Sequence, residues 1–126
     1  MKNSLFPLIV LVLSTVTASC TKKVRYSKEE LYFKAVAADP SVSFLLPSTI
    51  SAGNGCAEYT EGCVAAHHVM VKNLEMIAVE FKEEANAIYA ARKYRGYYSK
   101  NWFFDDVTGE PSLEKFVSEK LEAKKP

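Results

Sequence analysis

Three cysteines, two adjacent histidines and a short run of acids are the side chains whose spacing invites a chemical reading. Cys56 and Cys63 enclose six residues. Dithiol redox chemistry favours Cys-x-x-Cys, which this pair lacks. In an oxidising compartment the pair predicts a disulfide that pins a loop. Cys56, Cys63, His67 and His68 also have the residue types of a zinc site. Neighbouring strand residues point to opposite faces, so both histidines cannot hold one ion on a regular strand. Oxidised cysteines are lost as ligands as well, so neither metal nor cofactor is expected. Asp105, Asp106 and Glu110 cluster near a turn. Such carboxylates can serve acid–base catalysis or calcium. No calcium-loop spacing accompanies them and no second carboxylate pair opposes them. Turn and helix-start chemistry explains them more simply. The sequence contains no nucleophile elbow, phosphate loop, dinucleotide fingerprint or zinc-protease motif. No catalytic residue is expected.

The other dense feature is aromatic. Tyr94, Tyr97, Tyr98, Trp102, Phe103 and Phe104 fall within eleven positions. Two readings stand side by side, a patch that grips a partner or a sugar, and core packing by a strand and its flanking helix. Alternation sends Phe103 and Phe104 to opposite faces, so whichever faces outward is a candidate for interaction. His68, Trp102, Phe103, Phe104 and Asp105 form the candidate interaction surface.

Residues 1–19 have the make-up of a secretory leader. Lys2 supplies the positive start, Leu5 to Leu13 is apolar apart from Pro7, and Ser14, Thr15, Thr17, Ala18 and Ser19 are small. The apolar run is shorter than the ~20 residues that a spanning helix needs. Thr17-Ala18-Ser19-Cys20 resembles the lipobox of bacterial lipoproteins, with Thr17 where that family usually carries an aliphatic residue. The resemblance covers the leader only and implies cleavage before Cys20 and acylation of its thiol. Ordinary signal cleavage at the same small residues is the alternative. With Cys56 and Cys63 paired, Cys20 is the odd cysteine, and lipidation gives it a purpose. Thr21 after the cysteine, in place of Asp, resembles lipoproteins sorted to the outer membrane. The expected location is therefore the periplasmic side of the outer membrane rather than the inner membrane. Lys22, Lys23, Arg25 and Lys28 follow, either resting on anionic headgroups or forming a solvated tether.

The remaining chain is long enough for one domain. The whole sequence carries 16 Lys+Arg against 15 Asp+Glu, and the leader takes Lys2 with it. A balanced mature domain has no general attraction to nucleic acid. Residues 20–27 read as a lipidated tether, 28–123 as the domain and 124–126 as a fraying tail.

Within the domain, Ser27 and Glu30 have capping-box spacing, and Pro40 stops a helix over 28–38. Residues 42–46 suggest an edge strand closed by Pro47, and residues 47–62 a surface loop. A hairpin is expected from 64–71 and 74–81, turning at Lys72-Asn73. Ile77, Val79 and Phe81 share a face there, and Val69 and Val71 are expected to join it with His67 inward and His68 and Met70 outward. A helix over 83–96, an aromatic strand over 101–105 and a helix from Pro111 complete the order. Ala87, Ile88, Ala91 and Tyr94 share one face of the first of these helices. The fold class is α+β, a small antiparallel or mixed sheet with helices on one face and a ferredoxin-like half.

Val79-Glu80-Phe81, followed by Ala85, Ile88, Ala91 and Gly96, resembles the third strand and second helix of an RNA recognition motif. The resemblance implies an open sheet face bearing stacking aromatics. The matching positions here are Met76 and Ala78, so RNA binding is not implied for this chain. The functional expectation is a non-catalytic, lipid-anchored interaction or structural module with an unidentified protein partner. The alternatives are a small-ligand binder or enzyme with a cleft lined by Trp102, His68 and Asp105 near the 47–62 loop, and an immunity or exclusion lipoprotein.

Overall fold

The computed structural model describes residues 25–45 and 54–126. The leader, Cys20, Leu46 and Pro47 lie outside the described residues. Helix α1 spans Lys28–Ala38, strand β1 Ser43–Leu45, β2 Cys63–Val71, β3 Leu74–Phe81, helix α2 Glu84–Tyr94, β4 Tyr97–Ser99, β5 Trp102–Asp105 and helix α3 Pro111–Lys120. The strands form one antiparallel sheet in the order β1-β2-β3-β5-β4. An α+β fold with a small sheet is therefore established.

Local chemistry builds the elements much as the sequence implies. Ser27 Oγ accepts from the Glu30 amide at 3.1 Å, and Glu30 Oε1 accepts from the Ser27 amide at 2.9 Å. This reciprocal cap starts α1. Lys72 takes φ 52° in the turn that pairs Val71 with Leu74. A second two-residue turn, with Lys100 at φ 55°, pairs Ser99 with Trp102. The expected single aromatic strand is thus a hairpin, and Asn101 sits in its turn. β5 returns beside the β2–β3 hairpin by pairing antiparallel with β3. Gly96 makes that return possible, because a Cβ there would lie 2.8 Å from the Phe104 carbonyl oxygen.

The helices do not share one face. α1 and α3 cover the first face, where Leu31, Ala35, Leu113, Phe116 and Val117 meet Val69, Met76, Ala78, Trp102 and Phe104. α2 covers part of the second, where Ala87, Ala90 and Ala91 meet Ala66, Val79, Phe81 and Phe103. The reason is register. Val71 opposite Leu74 puts odd residues of β2 beside even residues of β3. Val69 and Val71 therefore join Met76 and not Ile77, Val79 and Phe81. Both faces of β3 are apolar, and each needs its own cover. Met76 and Ala78 are buried under α1 and α3, so the open face implied by the RNA-binding resemblance does not lie on their side.

The tail does not fray. Lys124 exchanges two backbone hydrogen bonds of 2.9 Å with Tyr98 and so covers the β4 edge. Cys56 and Cys63 are joined, with Cα atoms 5.8 Å apart. The bridge ties a 3-10 turn at Cys56–Glu58 to the start of β2. Closing so short a loop stabilises the domain by about 2.5 kcal/mol through the unfolded chain. Reduction is expected to lower the urea-unfolding free energy by about that amount, and an unchanged midpoint would contradict the assignment.

Candidate functional site

α2 is too short to cover the whole second face. Ala66, Val79, Phe103 and Tyr98 form a transverse row beneath it. The next row runs across four strands as Leu45, His68, Ile77 and Asp105. Beyond it stands a row of Ser43, Met70 and Glu75. None of these seven residues is fully buried, and Leu45 is 43% exposed. The result is a half-uncovered sheet face with an apolar strip of Leu45, Met70 and Ile77.

Acids line this strip. His68 Nδ1 lies 3.3 Å from Glu75 Oε2. The Tyr59 hydroxyl donates to Asp105 Oδ2 at 2.8 Å. Tyr59 is delivered by the disulfide-pinned turn and packs edge-on against Tyr94 and Phe103. Its phenol titrates far above the ordinary range, first because it is buried, then because Asp105 accepts its proton in a hydrogen bond, with Asp105, Asp106 and Glu58 adding negative charge. It therefore stays neutral and serves as a fixed donor. The Asp106 carboxyl is also pushed up, by burial first and then by Asp105 and Glu75, while His68 opposes the shift. Carboxylates at 58, 75, 105 and 106 thus share one neighbourhood, with His68 as the histidine among them.

The His68–Glu75 pair is half exposed, and Asp105 is engaged by a phenol instead of aimed at an open cavity. The expected cleft of Trp102, His68 and Asp105 does not form. His68 and Asp105 share the second face, while Trp102 points to the first and donates its Nε1–H to the Tyr26 carbonyl at 2.9 Å. Trp102, Phe103 and Phe104 are all fully buried, Phe103 beneath α2 and the other two beneath α1 and α3. They leave the candidate surface because the sheet is covered from both sides at β5. The aromatic run is core. Of the residues expected at the surface, the structure brings together His68 and Asp105 and adds Leu45, Tyr59, Met70, Glu75 and Ile77.

Part of that set was within reach of sequence reasoning. A two-residue turn at Lys72-Asn73 forces His68 opposite Ile77 and Met70 opposite Glu75. No local signal announces the 46-residue jump from Tyr59 to Asp105.

The zinc reading also fails on geometry. The two sulfurs are bonded to each other, and His67 and His68 diverge to opposite faces. A groove lies elsewhere, between the end of α1, the Lys72 turn and α3. It measures about 410 Å³ over Val71, Leu74, Leu113 and Phe116. Glu110 precedes α3 at its N-cap position, in keeping with a turn role.

Comparison with known proteins gives no lead, since no family model, curated protein or solved structure matches this chain.

Proposed function

We propose that this chain is a lipid-anchored, non-catalytic interaction module of the bacterial cell envelope, held through an acylated Cys20 on the periplasmic side of the outer membrane. Its docking surface is the uncovered part of the second sheet face, centred on Ile77 with His68, Glu75 and Asp105 around it. The single observation carrying the docking part is that a four-strand row, Leu45–His68–Ile77–Asp105, has no helix over it among the described residues, while the row next to it, Ala66–Val79–Phe103–Tyr98, is buried beneath α2. Apolar groups in the middle and acids at the margin suit a partner that brings apolar and cationic side chains. The anchoring part is supported by the leader and by the odd cysteine once Cys56 and Cys63 pair.

A photo-crosslinking amino acid placed at Ile77 in cells is expected to capture one envelope protein. The same group at Ser118, exposed on α3, is expected to capture none or a different set. Equal capture at both positions, or none at Ile77, would overturn the docking surface. The anchor is tested separately by the intact mass of membrane-extracted protein. Acyl chains on a chain beginning at Cys20 support it, and a retained Met1 or an unmodified thiol overturns it.

A further inference from the structure

His67 is buried, 7% exposed, and among the described residues neither of its ring nitrogens has a hydrogen-bond partner. Native proteins rarely leave buried polar groups in this state. The ring lies between two aromatics, 6.1 Å from the centroid of Phe44 on β1 and 5.9 Å from that of Trp102 on β5. Tyr32 of α1 in turn packs edge-on to Phe44 at 5.3 Å. β1, the sheet edge and α1 are thus stacked in sequence outward from this imidazole.

We infer that His67 is an acid-operated release built into the fold: a proton taken up by its ring expels it and lifts β1 and α1 from the sheet, while the β3–β5–β4 side under α2 stays folded. A neutral imidazole fits between the rings with its nitrogens unpaired. A charged one there would need acceptors for two N–H groups, and the two rings that flank it offer none. α1 presents Lys28, a like charge that already acts on the ring. β1 presents Phe44, β5 presents Trp102 and Phe104, and α3 presents Leu113, Phe116 and Val117 to the same face. β3 presents Ala78 opposite His67 and then Glu80, one pair further along. Glu80 is held by Arg25 and Lys28 and repelled by Glu29, and burial raises its pKa, so it sheds its charge as acid is added. Glu80, the carboxylate next along β3, therefore weakens as a partner when His67 would need it.

The direction of the pH dependence follows. Burial first, and then Lys28, lowers the pKa of His67 below its ordinary 6.5. The folded state resists the proton and the released state accepts it. Stability is complete above about pH 6.5 and falls as pH drops through that value. The largest effect of one such group is a tenfold rise in the opening constant per pH unit.

The test compares wild type with His67→Phe, His67→Met and His68→Gln from pH 7.5 to 5.0. Urea titration gives global stability, and hydrogen exchange, corrected for intrinsic rates, gives local opening. Wild type and His68→Gln are expected to lose protection in α1 and β1 below pH 6.5, up to tenfold per unit, before β3 and β5 respond. His67→Phe or His67→Met is expected to flatten that response. At pH 7.5 the same change removes two unpaired nitrogens and is expected to raise the folding constant by about fivefold or more. Parallel pH profiles in wild type and both His67 variants overturn the inference. An acid response that is uniform from α1 to β5 overturns it equally. If one His67 variant fails to fold, the other variant and the wild-type exchange pattern still decide.

Discussion

Trp102→Ala is expected to destabilise the domain by about 3–5 kcal/mol, the range for emptying a large buried aromatic site. A domain of this size has about 5–15 kcal/mol in total, so the variant should lie near the edge of folding. The magnitude follows from position. Trp102 is fully buried and stands on the face shared by α1 and α3. It lies opposite Glu80 on β3 and Ser99 on β4, and bonds the Tyr26 carbonyl just before α1 begins. Removing it opens a cavity at the junction of three strands and the entering chain. Trp102→Phe keeps most of the volume and loses the indole donor. It should cost about 1–2 kcal/mol, because Asn101 Nδ2 still reaches the same carbonyl at 3.3 Å. Urea unfolding measures both. A loss under about 1 kcal/mol for Trp102→Ala would return the aromatic run to the list of surface features.

Asn101→Leu should be nearly as damaging, at about 2–4 kcal/mol, for a different reason. Asn101 is fully buried in the β4–β5 turn. Its Oδ1 accepts from the Tyr26 amide at 2.7 Å, and its Nδ2 donates to the Phe81 carbonyl at 3.0 Å. Its own carbonyl accepts from the Phe81 amide at 2.8 Å. One amide side chain therefore joins the start of the domain to the end of β3. Leucine matches its size and leaves the Tyr26 amide and the Phe81 carbonyl without these partners, so the cost is desolvation rather than lost volume. Comparison with Asn101→Asp separates the two bonds. Aspartate keeps an acceptor for Tyr26 and loses the donor to Phe81. If Asn101→Leu unfolds at the wild-type urea concentration, the stitching role is wrong.

The two variants bear on how readable this chain is. Elements whose cause is local were legible. Ser27 with Glu30 marks the start of α1, Lys72-Asn73 marks the hairpin turn, and Pro111 marks the first residue of α3. The alternation placing His67 inward and His68 outward also held. The hairpin at 97–105 was missed although its turn, Lys100-Asn101, repeats the Lys-Asn of the first hairpin, because β4 is only three residues long and shows no readable alternation, and Asn101's partners lie far off in the chain. Two of the seven residues of the candidate surface were within reach, since His68 and Asp105 carry recognisable chemistry. Leu45, Ile77 and Met70 are ordinary strand residues, and their relevance comes only from what fails to cover them.

By itself the sequence determined an α+β chain of alternating periods, a cysteine pair close enough to bridge, and which histidine of the two is buried. These rest on spacing within a few residues, where backbone geometry leaves little choice. Tertiary structure alone decided which sheet face each helix covers, that Trp102 and Asp105 stand back to back, and that the uncovered row lies beside α2. The physical reason is that β3 is apolar on both sides. Its pattern demands two covers without saying which helix supplies each, and only packing between segments far apart in the chain settles that.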